Sequence, residues 1–158
     1  MLIKDKILIL GIGSPFADDQ LGWLVADKLA EIVNSKNIDN IIVESVDRPG
    51  LNLLNYLDSN YNQILLIDAV YAKSKPGTIY HLKASQILSF DGFLSSHSIG
   101  VSPSLALANA LNMDISNIEF YGAEGERLNE KDDIVSDVIT DTIDVLTNMI
   151  ITRLSHYL

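Results

Sequence analysis

Three observations predict an α/β fold: a three-layer α/β/α sandwich around a mostly parallel sheet of about five strands. Apolar runs such as KILILGIG (6–13) and QILLIDAV (63–70) are too continuous for strands with one wet face, so they read as strands buried on both sides. They alternate along the chain with segments whose apolar residues recur at helical spacing. Strand, helix and strand in succession build crossover units, and these keep neighbouring strands parallel.

Each element has its own justification. Lys6–Gly13 is closed by glycines and leads into GIGSPFADDQLG (11–22), a glycine-rich passage from strand to helix. Gln20–Val33 places Leu21, Leu24, Val25, Leu29 and Ile32 on one helical face, with Asp18 or Asp19 as its N-cap. Asn40–Val46 is a second strand, and Pro49–Leu57 a short helix after the Arg48-Pro49-Gly50 turn. Gln63–Val70 is apolar until Asp68. Past the turn signal AKSKPG, Thr78–Leu82 alternates as an edge strand does. Ala84–Leu88 is a short helix, Ser89–Gly100 a serine-rich loop, and Pro103–Leu111 a helix with proline in its first turn. Asn117–Gly122 is the last strand. An acidic loop, AEGERLNEKDD, precedes an amphipathic helix over Ile134–Leu154. With no repeat, linker or low-complexity stretch, residues 1–158 read as one domain.

Bulk properties narrow the function. The 158 residues are 47% hydrophobic and 20% charged, a globular balance. The absence of cysteine removes disulfides, thiolate metal sites and cysteine nucleophiles, and fits the cytoplasm. A formal charge of −10 opposes nucleic-acid binding and favours a cation, a metal or a basic peptide as partner. No apolar run is long enough to span a membrane, and the first residues lack a signal-peptide pattern.

Chemistry belongs beyond the carboxyl ends of the strands, where ligands bind in open α/β sheets. Asp19 follows the first strand, Asp68 closes the apolar part of the third, and His97 sits in SSHSIG before the alanine-rich helix. The glycine turn is a poor phosphate cradle, because Asp18 and Asp19 stand where the anion would lie and Phe16 replaces a third glycine. A Ser-His-Asp hydrolase could be drawn from Ser95, Ser96 or Ser98 with His97 and Asp68, but no nucleophile elbow supports it. Two carboxylates and one imidazole also form an O,O,N set able to hold a divalent metal with open positions. Each residue has a plainer reading: Asp18 or Asp19 as a helix cap, Asp68 as a turn initiator, His97 as a solvated loop histidine. His81, on the edge strand, and His156, at the C-terminus, compete weakly.

Taken together, ILILGIGSPFADDQLGWLVADKL, QILLIDAV, SSHSIGVSPSLALANAL and FYGAEGERLNEKDDIVSDVI resemble, in order, the maturation endopeptidases of nickel–iron hydrogenases. The resemblance implies a phosphorylase/hydrolase-like sandwich and an aspartic-type endopeptidase. Its partner would be the precursor of a nickel–iron hydrogenase large subunit, whose C-terminal extension it trims after nickel insertion. It carries the catalytic and metal-contacting positions onto Asp19, Asp68 and His97. It also implies that nickel arrives inside the substrate, and that zinc or cadmium can occupy the same site. The negative turn then faces a cation. Ser14 stands where the family often has Asn, and Asp19 where several members have Glu. SVDRPG (45–50) replaces a frequent DGGT segment, which makes Asp47 and Arg48 candidates for contacting substrate. The implied enzyme is a cytoplasmic monomer with neither nucleic-acid nor membrane partner. Two other readings stay open: a peptidase or amidase of the same fold acting on another protein, and a non-catalytic metal-dependent binding module.

Overall fold

The structure is a computed structural model that describes residues 5–57, 60–89, 102–127 and 130–158. Its elements run β1 (Ile7–Gly13), α1 (Leu21–Ser35), β2 (Ile41–Asp47), β3 (Gln63–Val70), β4 (Ile79–Lys83), α2 (Ala84–Ser89), α3 (Ser102–Ala110), β5 (Ile118–Glu124) and α4 (Asp137–Arg153). Single 3₁₀ segments cover Ala17–Gln20, Gly50–Tyr56 and Ser155–Tyr157.

The five strands form one sheet in the order β2-β1-β3-β5-β4. All pair in parallel except β4, which lies antiparallel at the edge against β5. The two-residue period of the pleat divides each central strand between two cores. On one face Ile7, Ile9, Leu65, Ile67, Tyr121 and Ala123 meet α1 through Leu21, Val25 and Leu29 and α4 through Ile139, Ile143, Leu146 and Ile150. On the other, Leu8, Leu10, Ile64, Leu66 and Phe120 meet Leu53 of the 3₁₀ segment after β2, Ile87 of α2, and Leu105 and Ala108 of α3. This is the three-layer sandwich with five strands that the apolar runs predict. Every residue of β1 is buried, as its unbroken apolar sequence requires.

The strand order fixes where a ligand can go. From β1 the chain moves outward to β2, then crosses back to place β3 on the far side of β1. The carboxyl ends of β1 and β3 therefore flank the topological switch point. Here the glycines of the first motif serve packing rather than phosphate. A Cβ on Gly22 would lie 2.0 Å from the Ile12 carbonyl oxygen and 2.5 Å from that of Ile67. The first turn of α1 thus rests directly on the ends of β1 and β3.

Element boundaries depart from the sequence reading in three places. Pro49–Leu57 becomes a 3₁₀ segment rather than an α-helix. The last helix starts at Asp137, three residues later than its apolar pattern suggests, because Ser136 is extended (φ −65°, ψ 151°). β5 runs on to Glu124, past the glycine that closes its apolar stretch.

Candidate active site

The chain leaves β1 at Gly13 and folds back at once: the Ser14 N–H donates to the Asp19 carbonyl at 3.2 Å. Inside that turn Ala17 adopts φ 43°, a left-handed backbone uncommon for a residue with a side chain. Two distant segments hold it there. The Ala17 N–H donates to the Asp132 carbonyl at 2.9 Å, and the Gln20 side-chain amide donates to the Asp133 carbonyl at 2.8 Å.

Asp18 supplies the strongest anchor. It is 0% exposed, and its carboxylate accepts from the backbone N–H groups of Glu126 (2.8 Å), Arg127 (2.7 Å) and Ser136 (2.9 Å) and from the Ser136 hydroxyl. A buried carboxylate is tolerable only with such donors. This corrects the expectation that Asp18 or Asp19 caps α1. No side chain caps that helix, whose N-cap, Gln20, is itself helical. Asp18 serves the start of α4 and the acidic loop instead.

With Asp18 committed, Asp19 is left partly exposed at the strand mouth. Its Oδ1 accepts from the Tyr71 hydroxyl at 2.8 Å, and its Oδ2 has a 3.4 Å contact with the Ser14 hydroxyl. Asp68 follows Ile67, the residue paired with Gly11 of β1, so it comes level with the last part of β1. Its own neighbour on β5 is Gly122, which adds no side chain beside it. Burial, first, and the charge of Asp19, second, push the Asp68 carboxyl well above the ordinary carboxylate range, against the lowering effect of a hydrogen bond from the Ala69 backbone. The Tyr71 hydroxyl is likewise pushed up, by burial and then by the charge of Asp19, so it remains a donor. Asp19 and Asp68 thus both stand at the switch point, near enough for the charge of Asp19 to bear on Asp68.

His97 lies between α2 and α3, outside the described residues. Asp47 and Arg48 sit at the end of the neighbouring strand: Asp47 pairs with Gly13, and the Arg48 N–H donates to the Gly13 carbonyl at 3.0 Å. Their side chains meet at 3.2 Å and are both largely exposed, 58% and 60%. They stand beside Gly13, at the sheet end from which the turn bearing Asp19 departs. His81 faces Glu119 at 3.0 Å on the edge strand, away from this end.

Sequence reasoning missed three contributors. Tyr71 lies one residue past β3, and nothing in its own neighbourhood points to Asp19. The role of Asp18 depends on residues more than a hundred positions away. Glu124, 2% exposed, accepts from the N–H groups of Ala72 and Ser74 at 2.8–3.0 Å and so fixes the loop after β3 that carries Tyr71. The only signal for Glu124 was an acidic residue continuing a buried strand.

A cation fits what is present. Two acidic side chains at one strand end offer oxygen ligands of the right chemistry for a divalent ion, whose charge would offset the burden that burial and Asp19 place on ionised Asp68. Among the described residues no three His, Asp or Glu side chains cluster as a complete cage. A separate cavity of about 630 Å³, lined by Leu54, Asn55, Tyr61, Met113 and Asn117, opens at the opposite, amino-terminal end of the strands. It does not reach Asp19 or Asp68.

The family model described as hydrogenase maturation protease (HycI) matches residues 25–153. Among solved structures, the hydrogenase maturating endopeptidase HybD from Escherichia coli superposes with a TM-score of 0.78 at 19% identity, covering 96% of this chain and 93% of that one. The [NiFe] hydrogenase maturation protease HybD from Thermococcus kodakarensis gives 0.70 at 22% identity, covering 94% and 98%. HycI from Thermococcus kodakarensis gives 0.69 at 18% identity, covering 96% and 94%.

Proposed function

The chain belongs to the hydrogenase maturation protease family, and from that premise we propose that it cuts the C-terminal extension from a nickel–iron hydrogenase large-subunit precursor once nickel is in place. The observation that carries this reading is the pair Asp19 and Asp68, held at the switch point by a strained turn and a buried strand. We assign the metal-contacting role to Asp19, Asp68 and His97, with the nickel belonging to the substrate and zinc or cadmium able to substitute. We place the enzyme in the cytoplasm as a monomer. Among the described residues no helix is long and apolar enough to cross a membrane.

Once bound, a divalent ion supplies Lewis acidity at the scissile carbonyl or at a water molecule. The chain's own residues do the rest. The two carboxylates would hold the substrate's metal-bearing end over the sheet, with His97 as the third ligand that the family resemblance implies. Asp47 and Arg48, on the adjacent strand end, contact the precursor. If the metal serves recognition alone, Asp19 or Asp68 takes the role of general base, and burial raises the Asp68 carboxyl in the direction such a role needs.

The test is cleavage of metal-free and nickel-loaded precursor by enzyme freed of metal with a chelator. We expect only the loaded form to be cut. Equal cleavage of both forms overturns metal inspection and leaves Asp19 or Asp68 as a metal-independent base.

A further inference from the structure

Resting on the assignment of Asp19 to the site, we propose that Tyr71 is a positioning residue that occupies Asp19 Oδ1 and so makes Oδ2 the oxygen presented to the substrate. A carboxylate turns easily about its last torsion, whose energy profile is broad and nearly two-fold. An unrestrained aspartate therefore offers either oxygen, or both. At 2.8 Å the Tyr71 hydroxyl makes a charge-assisted bond to one of them. The other has, among the described residues, only the 3.4 Å contact with Ser14. The two oxygens are thereby made unequal before any substrate arrives.

Tyr71 is built to hold this geometry. It is 8% exposed and follows β3 three residues after Asp68, so one stretch of chain carries both the second carboxylate and the group that aims the first. Its ring is clamped by the backbone of the loop after β5. A Cβ at Gly125 would come within 2.6 Å of the ring carbon Cε1 and 3.0 Å of the hydroxyl. The Gly125 N–H donates to the Val70 carbonyl at 2.9 Å, which locks that loop to the residue before Tyr71. Glu124 ties down the loop after β3, which carries Tyr71, through Ala72 and Ser74. The hydroxyl has little room to leave Asp19.

Tyr71→Phe removes one oxygen and keeps the ring, so it separates aiming from packing. Three measurements decide the matter: thermal melting, steady-state cleavage of nickel-loaded precursor, and calorimetric titration of the enzyme with cadmium ion. Partners that orient a ligating side chain are commonly worth about 10–100-fold in metal affinity or activity. Tyr71→Phe should therefore lower kcat by roughly that factor with KM unchanged, and weaken cadmium binding similarly. Wild-type kcat and cadmium affinity in Tyr71→Phe, with Asp19→Asn inactive, overturn the positioning role and leave the site assignment standing. A lowered melting temperature with normal kcat per folded molecule also overturns it, as a purely structural contact. Asp19→Asn that cleaves at the wild-type rate overturns the site assignment, and the inference with it.

Discussion

Asp68 is a carboxylate in a place that disfavours its charge, and that makes a prediction about stability as well as activity. Because its folded-state pKa is raised, the folded protein binds this proton more tightly than the unfolded chain does. Ionisation therefore costs stability: the penalty is absent below the unfolded value near 3.8 and grows as pH rises towards the raised folded value. Asp68→Asn removes the charge while keeping an oxygen for the Ala69 hydrogen bond. At pH 7 the variant should be more stable than wild type and melt at a higher temperature, because it no longer carries the ionisation that burial disfavours. The gain should vanish near pH 3, and cleavage should be lost at every pH. Calorimetric melting across pH 3–8 checks it; a less stable Asp68→Asn at neutral pH would contradict the account of the site as strained. Function held against stability is a common mark of sites that await a ligand.

At the scale of elements, the sheet was legible because burial on both faces leaves a continuous apolar run, and all five strands were found where such runs or alternation occur. Strand order was not legible, since it depends on which faces the helices cover. The antiparallel edge illustrates how β4 is secured. Glu119 on β5 meets His81 of β4 at 3.0 Å and Arg153 at the end of α4 at 3.0 Å, while Arg153 also donates to Gln63 of β3 at 2.9 Å. Burial alone would raise the Glu119 carboxyl, but hydrogen bonds from His81 and Arg153 and their nearby charge outweigh it and hold the group below its usual value. A depressed carboxylate contributes stability that is full above the unfolded value of 4.5 and is lost as pH falls through the lower folded one. Glu119→Gln should therefore cost about 1 kcal/mol at pH 6–7, a modest figure because the cluster is partly solvated. The difference should close towards pH 3. Urea unfolding at pH 7, 5 and 3 measures it, and a deficit independent of pH would mean the side chain acts by packing alone.

The whole molecule is closed by one residue that sequence reasoning placed correctly and explained wrongly. Asp19 and Asp68 could be found as site candidates because each stands where an apolar strand gives way to polar chain. Asp18 looked like a local helix cap because capping is a contact of three residues' reach, whereas its real partners lie 108 to 118 positions away. Through Glu126, Arg127 and Ser136 it joins the first turn of the fold to the acidic loop and to the start of the last helix. The same turn carries Asp19, so the position of that side chain depends on how Asp18 joins the turn to Glu126, Arg127 and Ser136. Asp18→Ala takes the acceptor from three backbone N–H groups and a hydroxyl gathered round a fully buried side chain, and at about 1–3 kcal/mol for each buried donor left unsatisfied the summed loss is about 3–5 kcal/mol. For a domain of this length that is a fall of roughly 10 °C in melting temperature. The pattern of loss matters more than its size. Amide hydrogen exchange should accelerate first at Glu126, Arg127 and Ser136 and at the turn around Ala17, whose strained backbone relies on the Asp132 carbonyl. Central strand amides of β1 and β3 should stay protected until global unfolding. Cleavage should fall even at temperatures where the variant is fully folded, because Asp19 loses the frame that holds it. Uniform acceleration over all amides, or full activity in the folded variant, would show that Asp18 supports only the global fold and that the site is assembled without it.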